Sequence, residues 1–149
     1  MSFFVDPSTV THGIQLAVAP VFLLTAVSGM IGAVAGRLAR IIDRARVLEE
    51  RLRDSADTEF IKGAYAELVR LRRRGLLANG AIGFLTLCAF MIGLTIILLF
   101  LGETTAFQGE SWAIVSFLFG VFCFMLALSC FLAETWMATR ILNFGKPKS

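Results

Sequence analysis

Three long apolar runs, at residues 14–36, 76–101 and 111–133, govern what this chain can fold into. Each is long enough to cross a hydrocarbon layer of roughly 30 Å at about 1.5 Å per helical residue. Charge is placed as unevenly as apolar surface. Of the fourteen lysines and arginines, eleven lie in residues 37–75, and Arg140, Lys146 and Lys148 follow the third run. With 57% hydrophobic residues, the chain is too apolar for an ordinary soluble domain. The expectation is an all-α membrane protein, a single membrane domain over residues 1–149 with three transmembrane helices.

The uneven charge also orients the spans. Residues 1–13 and 102–110 contain no basic side chain, so the positive-inside rule puts the N-terminus outside and residues 37–75 and the C-terminus in the cytoplasm. Residues 1–13 also lack the basic start of a cleavable signal peptide, and the first run is expected to remain as a span. A net charge of +3 does not imply nucleic acid, because residues 37–75 also carry Asp43, Glu49, Glu50, Asp54, Asp57, Glu59 and Glu67. Attraction to a polyanion needs an uncompensated basic face, and no zinc-finger, RNA-binding or P-loop spacing occurs.

Residues 37–53 contain neither glycine nor proline, so the first span should continue as one helix to about Arg53. Leu38, Ile41, Ala45, Leu48 and Leu52 follow a heptad spacing. After a polar turn, Asp57 can cap a returning helix whose positive end Glu59 favours. That helix carries Ile61, Ala64, Leu68 and Leu71 at the same spacing. The two seams predict an antiparallel coiled-coil hairpin over residues 37–75, cytoplasmic and placed between the first and second spans. Arg37, Arg40, Arg44, Arg72, Arg73 and Arg74 would form a basic collar where it meets the membrane, a candidate site for anionic headgroups or another anion. Asp43, Glu49 and Glu67 lie within helical reach of arginines and should neutralise part of that collar.

Within the spans a few residues stand out. Pro20 predicts a kink, because it lacks an N–H and crowds the carbonyl of Leu16; Gln15, about a turn away, could satisfy the freed carbonyl. Ser28, Gly29, Gly32 and Gly36 form a small-residue stripe that lets helix backbones approach. It can face another span of the same chain, the arrangement favoured here, or a second copy. Asn79 places an amide one turn into the second span, where it would seek a partner helix or interfacial water. Trp112 and Trp136 bracket the third span as interfacial belts would. Glu134, about 35 Å along that helix from Ser111, should lie near the cytoplasmic interface. There it would serve as a partner for the collar rather than as a proton or cation site.

Little else carries chemistry. His12 is the one histidine and by itself builds neither a metal site nor a triad. Cys88, Cys123 and Cys130 all sit in apolar runs and form no CxxC pair, so each reads as a small packing residue. No nucleophile-elbow motif is present. No enzymatic activity, cofactor or metal is expected.

The segments IQLAVAPVFLLT (residues 14–25) and RLARIIDRAR (residues 37–46) together make the chain resemble an uncharacterised bacterial membrane family, catalogued as domain of unknown function 2721. The resemblance covers most of the chain. It implies a small multi-pass protein of the bacterial inner membrane and brings no activity or assigned residues. Two functional expectations remain. The first is a non-enzymatic scaffold or assembly component, homo-oligomeric, with the basic hairpin as its interaction surface. The alternative is a small homo-oligomeric ion channel that favours anions through its arginine collar.

Overall fold

The computed structural model describes residues 7–104 and 110–142, with the side chains at 7–10, 12, 13, 16, 103, 104, 110 and 140–142 excepted. The side chains of His12 and Arg140, and all of Lys146 and Lys148, therefore lie outside the described residues. Among the described residues the chain forms α1 (Pro7–Asp54), α2 (Thr58–Thr104) and α3 (Glu110–Leu142). All three are long and apolar enough to cross a membrane.

Two of these helices run well past their apolar segments. α1 continues through Pro20 and through residues 37–53 to Asp54. α2 likewise runs without interruption through Gly75, and no described residue has a positive φ. Gly75 is therefore no breaker. A Cβ built there would lie 3.8 Å from Ile41 Cγ2 and 3.9 Å from Leu38 Cδ1, so the residue marks a close approach of α2 to α1. Between these helices Asp57 acts as the cap: its Oδ1 accepts the Glu59 N–H at 3.0 Å, and its carbonyl accepts the Ile61 N–H at 3.0 Å. The first bond satisfies a donor that a helix start leaves without an intrahelical partner, and the second is the first backbone bond of the helix itself.

The chain divides into two compact units. One comprises Met1–Ile31 and Phe84–Met125. Its core holds Ala17, Val27, Leu85, Cys88, Ile92, Ala113 and Cys123. Here α2 and α3 come very close. A Cβ on Gly120 would lie 3.1 Å from Ile92 Cδ1 and 3.3 Å from Met91 Cβ. The Met91 carbonyl accepts two hydroxyls, from Thr95 at 2.8 Å within α2 and from Ser116 of α3 at 2.9 Å. Pro20 is buried and borders an apolar recess with Thr95 and Ala113, while Gln15 is exposed.

The other unit comprises Gly32–Gly83 and Leu126–Ser149. Val34, Ile41, Ala64, Leu71, Ala78, Ala81 and Ala127 are buried in it, together with Glu134. All nine seam residues read from the heptads, from Leu38 to Leu52 and from Ile61 to Leu71, are buried or half-buried. Most of their neighbours in sequence are exposed. Arg44 of α1 reaches Glu67 of α2, and Gly75 lies against Leu38 and Ile41, so α2 returns beside α1.

One sequence expectation needs correcting. α1 turns Val27, Val34 and Ile41 inward at heptad spacing, and the small-residue stripe lies on its other side. Ser28, Gly29, Gly32 and Gly36 are exposed, and a Cβ built on any of the three glycines would meet nothing within 4 Å. Among the described residues the favoured arrangement, with the stripe against another span of its own chain, does not occur. The physical reason is that the branched heptad residues of the same helix offer more apolar contact area and take the inner face. The small-residue face that does pack belongs to α3. Ala113, Ser116, Gly120, Cys123 and Ala127 are buried at alternating spacings of three and four, and the same register leads through half-buried Cys130 to Glu134.

Candidate functional site

Glu134 ends that register, and its burial decides the chemistry of the site. On a helix whose inward face is otherwise small and uncharged, a carboxylate is costly unless it is paired. Its side chain is 1% exposed and meets two arginines. Arg74 of α2 donates to Oε1 through Nε at 3.1 Å and through Nη2 at 2.8 Å. Arg37 of α1 brings Nη2 to 2.7 Å from Oε2, an ion pair that lacks hydrogen-bond alignment. The Arg37 guanidinium also lies over the Phe131 ring, 5.2 Å from its centroid, a cation–π contact strengthened by partial desolvation. All three helices thus converge on one carboxylate.

A second pair adjoins the first. Arg44 donates through Nε at 2.9 Å and Nη2 at 2.7 Å to Glu67 Oε1. The sequence placed Glu67 within reach of arginines along its own helix, but its partner comes from α1. This pair is open to solvent, with side chains 68% and 41% exposed. The Arg40 side chain bends back to donate through Nε to the Gly36 carbonyl at 3.3 Å.

Four of the six collar arginines stay together. Arg37, Arg40, Arg44 and Arg74 gather around an open recess of about 710 Å³ whose apolar floor includes Ala33, Leu71 and Phe131. The first three are brought together by their spacing of three and four on α1, which places them on one helix face. Arg72 lines a different groove, of about 660 Å³, with Ile42, Tyr65 and Asn79. Arg73 is exposed, and Asn79 is exposed on the wall of that groove. Phe131 and Arg70 were missed at the sequence level. Arg70 shares a smaller recess of about 480 Å³ with Arg44, Glu67 and Arg74. Phe131 lies three residues before Glu134, a spacing that could have marked it as a neighbour of whatever the carboxylate binds.

Four guanidiniums and two carboxylates leave the larger recess with an excess of two positive charges. Such a site suits an anion with several acceptor oxygens, since guanidinium donors match phosphate and carboxylate geometry. Among the described residues no three His, Cys, Asp or Glu side chains are grouped to hold a metal ion. Cys88 and Cys123 are buried and Cys130 half-buried, all as free thiols.

A family model described as a protein of unknown function, DUF2721, matches residues 17–144. The chain belongs to the DUF2721 family. The matched segment of this DUF2721 protein contains every residue of the arginine–glutamate cluster, the small-residue stripe of α1 and the packed register of α3. No curated protein and no solved structure matches the chain.

Proposed function

We propose that this DUF2721 protein is a non-enzymatic scaffold or assembly component of the bacterial inner membrane that works as a homo-oligomer. Its N-terminus lies outside, and the α1–α2 hairpin and the C-terminus lie in the cytoplasm. The observation that carries the reading is the exposed small face of α1. Glycine inside a helix is destabilising by roughly 0.5–1 kcal/mol relative to alanine, and Gly29, Gly32 and Gly36 make no contact within their own chain that needs a missing Cβ. In lipid, such a stripe gains its return where a second backbone lies against it, by close packing rather than by a hydrophobic drive. Another copy of α1 supplies that backbone. The basic, heptad-paired hairpin then presents the interaction surface on the cytoplasmic side.

Crosslinking in native membranes tests this directly. A cysteine at position 32, in a chain whose other cysteines are replaced by alanine, should trap a defined multimer. Gly32→Leu should abolish that multimer while leaving the monomer folded, because position 32 is exposed and a Cβ there has open space around it among the described residues. Recovery of a monomer alone from native lipid overturns the proposal. Steady current across a planar bilayer holding the purified protein would instead favour the homo-oligomeric channel.

A further inference from the structure

We infer that the recess bounded by Arg37, Arg40, Arg44 and Arg74 is a binding site for the phosphate of an anionic phospholipid headgroup. The inference rests on the membrane reading above and adds a ligand to it.

Charge is the first ground. The four arginines exceed Glu134 and Glu67 by two, so the recess attracts an anion even with both ion pairs formed. Preorganisation is the second. Arg74 is held by two hydrogen bonds to a buried carboxylate, Arg37 by charge and the Phe131 ring, and Arg40 by the Gly36 carbonyl. Three long side chains are thus tethered before any ligand arrives, which lowers the ordering cost of binding. Each guanidinium has five N–H donors. The bonds named here engage Nε and Nη2 of Arg74 and Nε of Arg40, while Arg37 makes no aligned bond to Glu134. Donors remain on all three for phosphate oxygens.

Place is the third ground, and it selects lipid over a soluble anion. Arg37 directly follows the first apolar run, and the recess floor is made by Ala33, Leu71 and Phe131. Trp136, an exposed aromatic suited to an interface, lies two residues beyond Glu134. A phosphate in this recess sits where apolar surface gives way to charge, so the acyl chains of the same molecule can run along the exposed apolar helix faces. Basic pockets between membrane helices on the cytoplasmic side are suited to such headgroups. Its volume falls in the range of ordinary ligand pockets.

The test uses the full-length protein in nanodiscs of phosphatidylcholine doped with phosphatidylglycerol, with native mass spectrometry counting the lipids that stay bound after release. Phosphatidylglycerol should be retained in preference to phosphatidylcholine. Arg40→Gln and Arg44→Gln should each weaken that preference about tenfold, the effect of losing a charge-assisted hydrogen bond to the phosphate. Neither variant touches the Glu134 pairs, so folding is preserved. Arg73→Gln removes the same charge away from the recess and should leave the preference intact. An equal loss in Arg73→Gln would show a diffuse basic surface and overturn the site. Retention of added inorganic phosphate with no preference between the lipids would overturn the lipid assignment. All four arginines come from one copy, so a monomeric chain that still prefers phosphatidylglycerol would end the scaffold proposal and keep this one.

Discussion

Glu134 and Glu67 each face arginine, and the difference in burial sets what each pair contributes. Removing one partner of a buried ion pair costs about 3–5 kcal/mol, because the remaining charge is left without compensation. An exposed pair contributes about 0.2–1 kcal/mol. Glu134→Ala would leave Arg37 and Arg74, which are 31% and 18% exposed, facing one another without a counter-charge. It should therefore lower stability by about 3 kcal/mol or more. Glu67→Ala should lower it by no more than about 1 kcal/mol. Denaturant unfolding in detergent, followed by helix signal, measures both; equal effects would mean that the Glu134 cluster is hydrated rather than buried.

At the scale of elements, the crossing of α2 and α3 at Gly120 is the tightest approach at any described glycine. Gly120→Ala brings a methyl group to 3.1 Å from Ile92 Cδ1 and 3.3 Å from Met91 Cβ. The first atom can swing away, but the second is fixed to the backbone, so the helices must separate slightly. The expected loss is about 1–3 kcal/mol, and thermal unfolding of the variant checks it. Gly32→Ala, on the open face of α1, should be neutral or slightly stabilising for the monomer in the same assay. Much of the helical layout was legible in the sequence. Heptad spacing from Leu38 to Leu52 and from Ile61 to Leu71 marked the inward faces, and Asp57 announced the start of α2. The outward turn of Ser28, Gly29, Gly32 and Gly36 was not legible, because a glycine stripe says that a backbone can come near without saying whose. The face of Glu134 was legible and went unread: counting threes and fours from Ala113 through Ser116, Gly120, Cys123 and Ala127 leads to it.

For the whole molecule, the uneven distribution of basic residues carries the orientation. Residues 37–75 hold eleven of the fourteen lysines and arginines, and the positive-inside rule predicts that they stay cytoplasmic. A reporter inserted at Ser55, in the turn between α1 and α2, should be active only as a cytoplasmic fusion; periplasmic activity would invert the proposed topology. The anion recess would then face the opposite leaflet, while its lipid preference in a nanodisc, which offers both leaflets, would be unchanged.

The carboxylate that ties the three helices together also bears on how the protein is made. Translation runs from the first residue to the last, so Arg37 and Arg74 leave the ribosome before Glu134 does. In a membrane the final helix would bring its negative group to two counter-ions that have already been synthesised. A rearranged gene that encoded the third helix first would present that carboxylate before either arginine existed to receive it.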